Sequence, residues 1–172
     1  YNPGQNVETV YFPSGPTIVS FLVHIDNGVD VETMQVGNEG AVGGIVSHGH
    51  LPAFSRIMVQ SGGHFLTLPV DVLEHAKRQS PRIDRLFARY ADCLLAQVLQ
   101  STACNATHSA EARAAKWLLS AMARTGRTEV TLTQERLGAM LGVGRSYVAR
   151  LLSTLKRDGI LEIRRGRIVV RD

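Results

Sequence analysis

Cysteine is scarce in this 172-residue chain, with only Cys93 and Cys104. Two thiols are too few for a disulfide scaffold or for a four-cysteine metal or iron–sulfur site, and they fit a reducing, cytoplasmic setting. No apolar run approaches the roughly 18 residues that would suggest a membrane span. The polar start, Tyr1-Asn2-Pro3-Gly4, is unlike a signal peptide. The chain opens without methionine and part-way into a β-rich stretch, so a further segment is expected upstream. A phosphate loop, a nucleophile elbow and paired carboxylates with a cleft are all missing, which argues against an enzyme. The histidines include His48-Gly49-His50, His64 and His75. A loop pair spaced by one glycine names no third or fourth ligand, so these read as exposed loop residues, with no metal and no cofactor.

Charge of one sign is lacking in the first half. Residues 1–79 hold three basic side chains, Arg56, Lys77 and Arg78, against seven acidic ones, whereas residues 80–172 hold sixteen basic and eight acidic. A basic half joined to an acidic half suggests a polyanion-binding module attached to something else, although a solvated charged surface gives the same balance.

What is present begins with strands. Residues 18–25 are rich in β-branched and large apolar side chains, Asp26-Asn27-Gly28 supplies a turn, and residues 29–36 continue as a partner strand. Phe54 to Val59 and His64 to Leu68 add two more, so the first half reads as a barrel or sandwich, followed by a short helix from Asp71 to Gln79. Ser80 as N-cap and Pro81 at the first helical position then open a long helix to about residue 104. Leu86, Tyr90, Cys93, Gln97 and Cys104 share an arc of about 60°, with Phe87, Leu94 and Val98 beside it, while Arg85, Arg89, Asp92 and Gln100 lie opposite. Two adjacent stripes suit packing against the chain's own domain and against a second copy; one broad stripe on one core fits equally. The candidate self-association residues are Leu86, Tyr90, Cys93, Leu94, Gln97, Val98, Ser101 and Cys104. The two thiols share a helix face and are expected near that seam, as packed thiols rather than a redox switch.

Ser109 caps another helix to about Ala123, and Glu129 to Leu132 reads as a short strand. The segment from Leu132 to Val170 is the most informative. Thr133 caps a helix over 134–141, Gly142-Val143-Gly144 turns the chain, and a second helix runs from Arg145 to about Arg157. Val148, Leu151, Leu152 and Leu155 fall on one face. Arg145, Ser146, Ala149, Arg150, Ser153, Lys156 and Arg157 fall on the other, basic with small residues between. That pattern suits a helix-turn-helix whose second helix enters the major groove. Arg145, Ser146, Tyr147 and Arg150 are its candidate base readers. Residues 160–163, Arg164-Arg165-Gly166-Arg167 and residues 168–170 read as a hairpin with a basic tip, a wing for phosphates. The candidate backbone contacts are Thr133, Gln134, Lys156, Arg157, Arg165 and Arg167.

Leu132-Thr133-Gln134-Glu135-Arg136-Leu137-Gly138 with Val143-Gly144-Arg145-Ser146-Tyr147-Val148-Ala149-Arg150-Leu151-Leu152 resembles the helix-turn-helix of the Crp/Fnr family of bacterial regulators. Leu155 to Leu161 is similar to that family's entry into its wing. The resemblance implies an α+β chain: a jelly-roll-like β-barrel sensor over 1–79, a dimerisation helix and hinge over 80–108, and a winged helix-turn-helix over 109–172. It implies a homodimer on a palindromic operator, an unidentified small-molecule effector, and RNA polymerase as a further partner. Relatives that bind cyclic nucleotides place a glutamate after a glycine and, about ten residues later, an arginine before Ser or Thr. Here Gly43 is followed by Gly44, and Phe54 precedes Ser55, with Arg56 next. Gly43, Gly44, Ser55 and Arg56 remain the candidate effector pocket, but without those anchors cyclic AMP is not expected. Iron–sulfur relatives need cysteines outside the long helix, and none occurs there. Ser146 stands where relatives reading a C·G pair carry glutamate, so that preference does not transfer. The competing reading is a ligand-sensing adaptor whose helix-turn-helix binds protein instead of DNA.

Overall fold

The β-branched residues of the first half make five strands in two sheets. The computed structural model describes residues 1–25, 29–45 and 51–171, so the turn expected at Asp26-Asn27-Gly28 and the His48-Gly49-His50 pair lie outside the described residues. Strands β1 (Thr9–Ser14) and β5 (His64–Pro69) pair antiparallel. Strand β2 (Ile18–Ile25) lies between β3 (Val29–Val36) and β4 (Arg56–Ser61), also antiparallel. Among the described residues the sheets do not close into the expected barrel. They face each other as a sandwich, with Val42, in the segment after β3, bridged to Tyr11 of β1. Val19, Val36 and Val42 are buried between them with Tyr11, Phe21, Ile57 and Phe65 alongside. Strand β4 starts at Arg56, two residues later than expected, because Phe54 is 79% exposed and outside the sheet.

Helix α1 (Val70–Gln79) closes one end of this sandwich through Val70 and Leu73. Its turn into α2 (Pro81–Thr107) is made by Ser80, whose carbonyl accepts from the Ile83 and Asp84 N–H groups. The Ser80 hydroxyl makes no cap bond, contrary to expectation, so proline's preset φ opens the helix instead. The helix runs three residues past the expected end.

The C-terminal half has its own core. Helices α3 (Ala110–Thr125), α4 (Gln134–Leu141) and α5 (Arg145–Arg157) bury Trp117, Leu118, Leu137, Leu141, Val148 and Leu152 against Leu161 and Ile168 of the wing. Strands β6 (Glu129–Thr131), β7 (Leu161–Arg164) and β8 (Arg167–Val170) form one sheet in the order β6-β8-β7. Ile18 of β2 belongs to the same core. Alternation along β2 explains this, since successive side chains point to opposite faces. Val19 and Phe21 face the other sheet, while Ile18 and Ser20 face the helices. The outer face of the β3-β2-β4 sheet is thus covered by the C-terminal half, and Gln60 of β4 reaches Met140 of α4. No helix among the described residues is long and apolar enough to cross a membrane.

Candidate nucleic-acid interface

The helix-turn-helix is built by three small residues. The Thr133 hydroxyl accepts from the Arg136 N–H (3.2 Å) and starts α4. Gly142 ends it with φ of 64°, where a side chain is strained. A Cβ on Gly138 would stand 2.9 Å from the Val143 carbonyl and 3.3 Å from Val148. Glycine there lets α5 cross close to α4, and Val148 and Leu152 become fully buried.

That crossing leaves the polar arc of α5 outside. Arg145, Ser146 and Arg150 are exposed and Tyr147 is half-exposed. A groove bounded by the start of α4, the start of α5 and the wing brings Thr133, Gln134 and Arg145 together with Arg165 and Arg167. These are the residues expected to hold DNA, drawn from three elements onto one surface. Lys156 and Arg157 are exposed at the far end of α5. The charge of the wing is graded. Arg164 and Arg171 bond Glu162 and hold its carboxyl down to about 2, and Arg167 bonds Glu129 at 2.6 Å. Arg164 ends β7 and lies outside the two-residue tip of Arg165 and Gly166. Arg165 makes no ion pair among the described residues, so it has no acid to surrender to a phosphate.

One contact here has no sequence signal. The Tyr147 hydroxyl donates to Glu111 at the start of α3, which raises the pKa of the phenol and lowers that of the carboxyl. The Arg150 guanidinium lies over the Tyr147 ring, 5.8 Å from its centroid. Glu111 therefore fixes Tyr147, and Tyr147 supports Arg150.

The residues expected on a self-association face of α2 divide. Tyr90 exchanges hydrogen bonds with both backbone groups of Ala41, and Leu94 packs on the sandwich core. Gln97 and Ser101 turn toward α3, and Cys104 is buried against it, accepting from Lys116 and Gln100. Leu86 and Cys93 are exposed and Val98 is half-buried, so the thiols do not share a seam: Cys93 faces solvent and Cys104 faces its own chain. Sequence reasoning missed Leu95 and Leu99, which are 57% and 62% exposed on the outer face. Their i, i+4 spacing was the available signal, masked by the polar residues around them.

The candidate effector residues do not converge on an anion site. Gly44 packs against Val70, with 3.3 Å between a Cβ built there and that side chain, so a larger residue would press on Val70. Arg56 bonds Asp30 at 2.9 Å and, with His24, holds its carboxyl below the usual range. Ser55 is half-buried beside it. A separate cavity of about 210 Å³ between the sheets is lined by Tyr1, Tyr11, Val42, Ile57 and Phe65, with no charged side chain among the described residues. Among the described residues no group of three His, Cys, Asp or Glu side chains is placed to hold a metal.

Sensor and helices are tied by polar bonds as well as packing. The indole N–H of Trp117 donates to Glu32 of β3 at 2.8 Å, and Gln35 and Ser20 also donate to that carboxyl. Burial outweighs these bonds and lifts Glu32 to about 7. Arg124 of α3 bonds Glu39 at 2.8 Å and the Gln35 carbonyl at 3.3 Å.

Residues 112–172 match the Crp-like helix-turn-helix domain. No curated protein matches the chain in sequence. Among solved structures, FixK2 from Bradyrhizobium japonicum is 20% identical, with TM-score 0.82 over 100% of this chain and 87% of that one. A CRP-family transcriptional regulator from Thermus thermophilus is 18% identical, with TM-score 0.80 over 100% and 87%. The c-di-GMP responsive regulator CLP of Xanthomonas campestris is 19% identical, with TM-score 0.74 over 100% and 88%. At these identities the likeness is one of fold, and it covers the whole chain. Residues 112–172 thus form a Crp-like helix-turn-helix domain, and the chain as a whole has the fold of these Crp/Fnr-type structures.

Proposed function

We propose that the chain is a sequence-specific DNA-binding regulator that works as a homodimer and is not an enzyme. Residues 1–79 sense a signal, 80–108 form the dimer helix and hinge, and 109–172 read DNA. The observation that carries this reading is the groove that joins Arg145 at the start of α5 to Arg165 at the wing tip. Arg145 stands where the first turn of a recognition helix meets base edges, and its fork suits guanine O6 and N7. Arg165 suits the phosphate backbone beside it. The exposed Leu95 and Leu99 of α2 support a dimer seam parallel to the face that holds the sandwich. A two-fold protein then matches half-sites about one helical turn apart.

The signal at the sensor is not cyclic AMP in this reading, because Gly44 is packed and Arg56 is paired. The cavity between the sheets, lined by aromatic and aliphatic side chains, suits an apolar effector better than a phosphate. Fluorescence anisotropy with labelled duplexes at several salt concentrations tests the DNA reading. Affinity that falls linearly with log salt supports it, and no duplex binding at low salt contradicts it in favour of an adaptor.

A further inference from the structure

Beside the Glu32–Trp117 bond, β3, α2, α3 and α4 enclose a cavity of about 180 Å³. It is separate from the cavity between the sheets, and its polar groups do not balance. Arg113 of α3 gives Nη1 to the Leu141 carbonyl (2.9 Å) and to Asn105 Oδ1 (3.4 Å), while its buried Nε has no acceptor among the described residues. Lys116, three residues on and on the same face, bonds the Cys104 thiol at 3.4 Å, and sulfur is a weak acceptor. Gln35, only 5% exposed, leaves its Oε1 without a donor among the described residues.

The one carboxylate on the cavity wall, Glu32, already accepts from Ser20, Gln35 and Trp117. The α2 wall offers Gln97, Gln100 and Ser101, which are neutral, and α4 offers Met140 and Leu141. Arg113 and Lys116 therefore have donor capacity that no acid among the described residues meets. A planar carboxylate can accept from a guanidinium Nε and an ammonium together. A hydroxyl or N–H elsewhere on the same molecule would answer Gln35. The volume suits a short-chain acid and excludes a nucleotide.

We propose that this junction cavity binds a small organic carboxylate, and that occupation acts on the Glu32–Trp117 bond between the sensor sheet and the DNA-binding helices. The titratable and charged groups facing the site are Glu32 from β3, Arg113 and Lys116 from α3, with Arg124 of α3 behind Gln35, and the Cys104 thiol from α2, whose pKa Gln100 and Lys116 lower; α4 contributes none among the described residues. An ionised Glu32 repels the ligand, and burial keeps its proton on until about pH 7. Binding therefore tightens as pH falls from 8 to 6, and Glu32→Gln removes that dependence.

The test follows the fluorescence of Trp117, the one tryptophan of the chain. The full chain is titrated with acetate, propionate, succinate and glutarate at constant ionic strength. At least one acid should give a saturable change, weakened roughly ten-fold or more in both Lys116→Gln and Arg113→Gln. Arg113 also supports α4, so its variant alone would confound folding with binding; Lys116 is exposed, and its variant keeps the native melting curve. No saturation with any of the four acids overturns the proposal, as does saturation unchanged in Lys116→Gln. The readout contains no DNA, so its failure leaves the duplex-binding reading intact, and the converse holds.

Discussion

Replacing Glu32 with glutamine isolates the joint between the two halves of the molecule. In the native chain the carboxyl sits under α3 and accepts from Trp117, Gln35 and Ser20, yet burial lifts it from 4.5 to about 7. Below about pH 4.5 folded and unfolded chains both hold the proton, and the site costs nothing. Between 4.5 and about 7 the unfolded chain releases the proton while the folded chain keeps it, so stability falls as pH rises. Above about 7 both are ionised and the loss levels off at about 3 kcal/mol, the free-energy equivalent of that displacement. Glutamine has no proton to release and keeps an acceptor for Trp117. Exchanging one carboxyl oxygen for an amide NH2 changes the hydrogen bonding and shifts the variant by about 1 kcal/mol at every pH. Urea unfolding of both proteins at pH 5, 6, 7 and 8 separates the constant shift from the pH-dependent one. The variant should gain about 2 to 3 kcal/mol on the native protein between pH 5 and 8. A difference that does not change with pH would show that Glu32 is solvated and not the joint described.

Three further outcomes follow from the same geometry. Leu95→Glu with Leu99→Glu places charges on the outer face of α2, where both leucines are exposed, and light scattering should show a dimer for the native chain and a folded monomer for the variant. A dimer that persists in the double variant would move the seam elsewhere. Arg165→Ala should weaken all duplexes similarly and lower the salt slope by about one phosphate contact, since Arg165 has no acid partner among the described residues. An unchanged slope would remove the wing tip from the interface. Calorimetry with cyclic AMP should give no site-specific heat, and a stoichiometric isotherm would reverse the reading of Gly44 and Arg56.

The helix-turn-helix was legible because it is local. Thr133, Gly138, Gly142 and the apolar face of α5 lie within one short segment, and each constrains its neighbour's conformation. The strands over 18–25 and 29–36 were legible for the same reason, from β-branched runs. What the sequence hid depends on contacts between distant segments. The apolar periodicity of α2 marks a buried face, but only the position of the sandwich decides that Tyr90 and Leu94 face inward and Leu95 and Leu99 outward. The expected barrel rested on strand spacing, which does not distinguish a closed sheet from two facing ones. Glu32 and Trp117 are 85 residues apart, and neither carries a motif. Their meeting exists only because Ile18 and Ser20 alternate onto the outer face of β2.

The central claim is that the start of α5 reads bases while the wing holds phosphates. The direct test is Arg145→Ala against a duplex selected from random sequence and against a scrambled duplex, in the same buffer. The variant should lose about 1–3 kcal/mol on the selected duplex, with preference relaxed at one base pair of each half-site and little change on the scrambled one. Equal losses on both duplexes, leaving the native ratio of affinities, would contradict the placement of this helix in the major groove.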